Sequence, residues 1–133
     1  MPSFLLPVQV RFRDIDALGH VNNAVFLTYM EVARVAFARD VLHTARIEDI
    51  DFLVARIEID YRRPVLLDDD LSCAMHVERL GRTSFVIAYV FTVRGEVVAE
   101  GRSVQVFIDR ASGRTKPVPP AFVDAVSPFG APS

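Results

Sequence analysis

Apolar and polar positions change period once along the chain, near residue 50, and the change separates a helical first part from a sheet-forming second part. In the first part Phe26, Met30, Ala33 and Phe37 recur at helical spacing, and Val25, Tyr29, Val32 and Ala36 widen the apolar stripe. No Gly or Pro interrupts Asn23 to about Leu42. The pattern predicts one largely buried helix of about 18 to 20 residues, roughly 27–30 Å long. Asn22 or Asn23 can cap it by accepting a bond from an otherwise unpaired backbone N–H.

After a polar connection from His43 to Asp51 the period drops to two. Ile57, Ile59 and Tyr61 share one face of a strand from Val54 to Tyr61, and Leu71, Cys73, Met75 and Val77 alternate with Ser72, Ala74, His76 and Glu78. Phe85, Ile87, Tyr89, Phe91 and Val93 alternate again after a turn at Gly81. Arg94-Gly95-Glu96 reads as a hairpin turn into a last strand, Val97 to Ile108. A turn at Asp109 to Gly113 and a tail with Pro117, Pro119 and Pro120 follow, closing with a helical turn at Ala121 to Val126. Ahead of the helix, Val8 to Phe12 alternates as a first strand. One strand, one long helix and four strands joined by short turns make an α+β arrangement, a five-stranded antiparallel sheet wrapped around one central helix. Covering that helix requires a curved sheet, with Gly95 and Gly101 as places for a bend or bulge.

Composition narrows the picture further. With 133 residues, 51% of them hydrophobic, residues 1–133 fit a single domain with one core. A formal charge of -2 lacks the basic footprint of a DNA- or RNA-binding domain, so nucleic acid is not an expected partner. Phe4 to Val8 is too short for a signal sequence and is broken by Pro7. No apolar run approaches the roughly 18 residues of a membrane span. The one cysteine, Cys73, lies in an alternating apolar run and is expected in the core, which suits a reducing cytoplasm.

The stretch Asp14-Ile15-Asp16-Ala17-Leu18-Gly19-His20-Val21-Asn22-Asn23 carries the candidate chemistry. It places two acids in a polar turn that opens the long helix, where unpaired N–H groups and the positive end of the helix dipole gather. Two readings of the residues stand side by side: Asp14 and Asp16 form a turn and cap the helix, or one of them acts on a carbonyl polarised at the helix start. Asp14, Asp16 and His20 make only a loose metal-ligand set, so no metal is expected. Asp68-Asp69-Asp70 reads as a turn before a strand. His43 and His76 read as surface residues, and Glu31 either reaches the site or a partner subunit, or is solvated.

These residues resemble the hotdog-fold thioesterases of the 4-hydroxybenzoyl-CoA thioesterase type. The resemblance rests on Asp14-x-Asp16-x-x-Gly19-His20-Val21-Asn22-Asn23 followed by Phe26, Tyr29, Glu31 and Arg34. It continues through Ile59-Asp60-Tyr61-Arg62-Arg63-Pro64, Leu80 to Phe85, Val98 to Gly101 and Asp109-Arg110, covering roughly residues 8 to 125. Ile15 and Phe26 depart from the residues common in the family. The resemblance implies hydrolysis of an acyl-CoA or acyl-carrier-protein thioester by a homodimer or homotetramer with its sites at subunit interfaces. It implies Asp16 as catalytic base or nucleophile, with Asp14 in support and a backbone N–H at Asn23 polarising the carbonyl. The family's contacts for coenzyme A fall on Arg82, Thr83 and Ser84, while His20, read from its place in the turn, either binds the substrate or supports Asp16 by bonding its neighbours. Coenzyme A belongs to the substrate, and no separate cofactor is implied. Two alternatives use the same scaffold: a domain that binds the thioester without cleaving it, and a hydratase or dehydratase.

Overall fold

The computed structural model describes residues 3–130. Its main elements are β1 (Phe4–Val8), α1 (Val25–Asp40), β2 (Phe52–Tyr61), β3 (Leu71–Leu80), β4 (Ser84–Val93), β5 (Glu96–Phe107) and α2 (Pro120–Val126). The strands form one sheet in the order β1-β3-β4-β5-β2, and every neighbouring pair is antiparallel. Phe26, Tyr29, Met30, Ala33 and Phe37 of α1 join Cys73, Met75, Val77, Phe85, Ile87, Tyr89 and Phe91 of the sheet in a single core. This is the expected hotdog arrangement, a sheet folded onto one long helix. The sheet covers one side of α1, while Leu27, Thr28, Glu31 and Val32 remain at the surface. Cys73 lies fully inside, and burial pushes its thiol up to about 12, so it is inert near neutrality.

The sheet's irregularities fall elsewhere than Gly95 and Gly101. Register shifts place extra residues at Ala55, Glu78 and Val98. Gly95 and Arg94, with φ of 79° and 52°, form a two-residue turn between Val93 and Glu96, where a left-handed backbone matches the twist of the strands. Gly101 pairs in register with both Ile59 and Tyr89. A Cβ on Gly101 would sit 2.8 Å from the Glu58 carbonyl oxygen and 3.1 Å from Met30 Cε, so the missing side chain is what lets α1 approach the sheet.

The first strand also differs from expectation. Alternation suits Val8 to Phe12, but the paired residues are Phe4 to Val8, opposite Met75 to Leu71. Pro7 is tolerated because β1 is an edge strand, where a missing N–H leaves no ladder bond unmade. Phe12–Asp14 is instead a single 3-10 turn, and Phe12 is 82% exposed. The turn forms because the Asp14 carboxylate accepts the Arg11 backbone N–H at 3.0 Å.

Asp14 then ties this turn to the helix. Only 3% exposed, it also accepts the Tyr29 hydroxyl at 2.7 Å and faces the Arg11 guanidinium at 3.5 Å. Burial by itself would raise this carboxyl; the Arg11 N–H, the Tyr29 hydroxyl and the Arg11 charge outweigh it and hold the group below its ordinary value. The Asp14 carbonyl accepts the Asn22 N–H at 2.9 Å, and the Val65 carbonyl accepts the Val21 N–H at 2.8 Å. Both sides of the turn are thus pinned before α1 begins.

Two outcomes follow for stability. Gly101→Ala should lose about 1–3 kcal/mol to overpacking, read as a lower midpoint in urea with an unchanged slope; wild-type stability would remove Gly101 from its assigned role. For Asp14, a depressed folded-state value means that its stabilisation is complete above about pH 4 and fades as pH falls through the folded value. Asp14→Asn should cost roughly 1.5–3 kcal/mol at neutral pH. Its stability should also decline less than wild type's between pH 4 and pH 2, and parallel acid limbs in the two proteins would contradict the assignment.

Candidate active site

The turn and the helix start form one wall of a cleft of about 590 Å³, lined by Asp16, His20, Asn22, Asn23, Phe26, Tyr61 and Val65 among others. Opposite the turn stand the end of β2 and the segment that follows it, Tyr61 to Val65. Asp16 begins the tip of the turn. Its N–H donates to the His20 carbonyl at 2.9 Å, and its carbonyl accepts the Gly19 N–H at 3.0 Å. Gly19 has φ of 84°, a left-handed conformation that a side chain would oppose. One carboxylate oxygen, Oδ1, accepts the Leu18 N–H at 2.9 Å. Among the described residues, no cation lies within salt-bridge distance of Asp16, and it is half-buried in the cleft wall.

Asn22 is bound at three points. Its N–H donates to Asp14, its carbonyl accepts the Val25 N–H at 2.9 Å, and its side-chain oxygen accepts the Ala24 N–H at 2.8 Å. The expected asparagine cap does not form: the residue at the helix start is Ala24, without a side-chain cap bond, and the Asn22 side chain instead closes a local turn onto the Ala24 N–H. Phe26 and Leu27 donate to the carbonyls of Asn23 and Ala24. The N–H of Asn23 is left without a hydrogen-bond partner among the described residues. Asn23, with its unclaimed N–H, and Asp16, whose carboxylate has one backbone bond and no counter-charge among the described residues, thus line the same cleft, at the positive end of a 16-residue helix.

His20 also lines the cleft, and its side chain makes no hydrogen bond among the described residues. Arg82, Thr83 and Ser84 lie elsewhere in the chain. They belong to the β3–β4 hairpin, where the Phe107 N–H donates to the Thr83 carbonyl, and Phe107 pairs with Phe52 at the start of β2. Asp16 sits beside the other end of β2, so ten residues of strand, about 30 Å, separate the two groups. Glu31 lies outside the Asp16 cleft as well. It lines a groove of about 710 Å³ between α1 and β2, with Leu27, Arg34, Phe52, Leu53 and Ile57. His43 is exposed in a loop, and His76 lies on the outer sheet face beside Glu78 and Arg102.

Tyr61 is the cleft residue that the sequence pattern does not flag as functional. Its hydroxyl donates to the Asn23 carbonyl at 2.7 Å, and its ring meets Phe26 edge-on at 5.5 Å. Partial burial raises the hydroxyl above its ordinary value, so it stays a donor through the neutral range. The alternation of β2 identifies its face but not this contact, which spans 38 positions.

Comparison with known proteins matches this architecture to a described group. The family model of the thioesterase-like superfamily matches residues 10–126. The long-chain acyl-CoA thioesterase FadM of Escherichia coli is 34% identical over 106 residues, covering 77% of this chain and 80% of the relative. The 1,4-dihydroxy-2-naphthoyl-CoA hydrolase of Nostoc punctiforme is 30% identical over 122 residues, covering 86% and 79%. Among solved structures, a thioesterase of Thermus thermophilus complexed with coenzyme A and zinc is 40% identical. It covers 94% of this chain and 92% of that one, with a TM-score of 0.85. With a family model spanning most of its length and the expected sheet-and-helix architecture around the turn, the chain belongs to the thioesterase-like superfamily.

Proposed function

We propose that this protein hydrolyses a fatty-acyl or aryl-acyl thioester of coenzyme A to the free acid and coenzyme A. The chain is a thioester hydrolase, as its family membership and the acyl-CoA hydrolases among its relatives support. One observation carries the site assignment: Asp16, whose carboxylate has no counter-charge and one oxygen free of partners among the described residues, and Asn23, whose N–H is unclaimed, line a single cleft at a helix N-terminus. In the general-base route Asp16 takes a proton from water as the water oxygen adds to the thioester carbonyl. The Asn23 N–H stabilises the resulting oxyanion by on the order of 3 kcal/mol. The intermediate then collapses, the C–S bond breaks, and the departing sulfur takes the proton from Asp16. In the nucleophilic route the carboxylate itself attacks and displaces the thiolate, and water hydrolyses the acyl anhydride that remains. His20, with its side chain free in the cleft wall, is assigned to substrate contact in either route.

The same reading assigns the protein to a homo-oligomer. The two sheet edges are unequal: β1 is five residues long and carries Pro7, whereas β2 offers ten residues with Leu53 and Val54 exposed. Two copies related by a two-fold axis pair identical edges antiparallel. Pairing through β2 brings the start of one strand beside the end of the other. Arg82, Thr83 and Ser84 of one copy are thereby carried toward the Asp16 cleft of its neighbour, where they serve as contacts for coenzyme A.

A panel of acyl-CoA substrates with thiol detection tests the activity. Asp16→Asn should lower kcat by roughly 10²–10⁴-fold with the fold retained; full turnover in this variant, or none by the wild type on any acyl group, sinks the proposal. The shared site is tested by complementation. Asp16→Ala and a triple alanine variant at Arg82, Thr83 and Ser84 should each be weakly active. Reassociated at equal amounts, they should recover about a quarter of the sites, since half the dimers are mixed and each holds one intact site. Activity no greater than the parents' average would show that the sites are not shared.

A further inference from the structure

We infer that Tyr61 is a positioning residue for this hydrolysis: from the end of β2 its hydroxyl holds the first turn of α1 in the orientation that leaves the Asn23 N–H open to the substrate oxygen. The inference rests on the assignment of Asp16 and Asn23 made above.

From within, the start of α1 is held only by its own backbone bonds, of which that from the Phe26 N–H to the Asn23 carbonyl is long, at 3.3 Å. Ala24, the residue before the first helical turn, has no side-chain acceptor, and no acidic residue stands in that turn. Two external bonds replace a cap, and both act on the Asn23–Ala24 peptide. The Asn22 side chain accepts its N–H at 2.8 Å, and Tyr61 donates to its carbonyl at 2.7 Å. The preceding peptide has its carbonyl held by the Val25 N–H, so its own N–H, that of Asn23, is the one left unused. With the Asn23–Ala24 peptide fixed at both ends, rotation that would turn the Asn23 N–H out of the cleft is opposed.

Tyr61 is itself well located. It pairs with Ala99 at the end of β2, and the next residue, Arg62, donates its N–H to the Val98 carbonyl at 2.8 Å. Its ring rests against Phe26, which is buried between Tyr29 and Phe91. Strand register determines which face the ring takes, and a shift of one residue would send it to the outer face of the sheet. The hydroxyl therefore transmits the position of β2, the long open edge of the sheet, to the donor at the helix start.

Tyr61→Phe keeps the ring and removes only the hydroxyl. It should lower kcat about tenfold, since small misplacement of a reacting group costs up to about 10²-fold, while KM stays within about twofold. In two-dimensional amide NMR, the Asn23 and Ala24 resonances should shift and exchange faster, while those of β3 and β4 stay unchanged. An unchanged Asn23 amide in Tyr61→Phe overturns the inference whatever the turnover. If Asp16→Asn is inactive but Tyr61→Phe keeps wild-type kcat, the inference falls and the site assignment stands. Should Asp16→Asn keep full kcat, both fall together.

Discussion

The arrangement of this site depends on one buried carboxylate. Asp14 joins the segment before the turn, through the Arg11 N–H, to the first turns of α1, through the Tyr29 hydroxyl. Removing a carboxylate from water costs several kcal/mol, and Asp14 is tolerated only because charge-assisted hydrogen bonds and the Arg11 guanidinium answer it. These partners come from both sides of the turn, so satisfying Asp14 determines how the turn sits on the helix. The Asp16 carboxylate and the Asn23 N–H inherit their relative placement from that bond set.

The paired acids and paired asparagines divide their work in the same manner. Asp14 is buried and fully engaged, whereas Asp16, two residues on, is half-exposed and has one carboxylate oxygen without a partner among the described residues. Asn22 is bound through its N–H, its carbonyl and its side chain, whereas the N–H of Asn23 stays open. In each pair the first residue carries the structural bonds, which leaves the second free without loss of definition. A reactive group needs this combination of a fixed backbone and an unsatisfied polar atom.

Family resemblance and local physics support different parts of the functional reading. The thioesterase-like match identifies the reaction class, and the cleft is lined both by a carboxylate residue, Asp16, and by Asn23, whose N–H is unclaimed among the described residues. The unequal sheet edges add a separate constraint. A ten-residue edge with exposed leucine and valine has reason to pair, and pairing through it would bring the distant β3–β4 hairpin to a neighbouring cleft.

The sequence by itself determined the helix, the last four strands, the hairpin at Arg94-Gly95 and the chemical character of the turn. In each case burial of one face imposes a periodicity that the residues must obey, or a left-handed backbone demands particular residues at fixed offsets. It misplaced β1, because Val8 to Phe12 alternates whereas Phe4 to Val8 is apolar throughout, and Pro7 argues against the true strand unless that strand is known to be an edge. Tertiary structure decided what depends on strand order and long-range contact. It placed Tyr61 on the Asn23 carbonyl, fitted Gly101 beneath Met30, and put Arg82 to Ser84 at the far end of the sheet from Asp16. Periodicity reports which side of an element is buried, but only the packed fold establishes what lies against it.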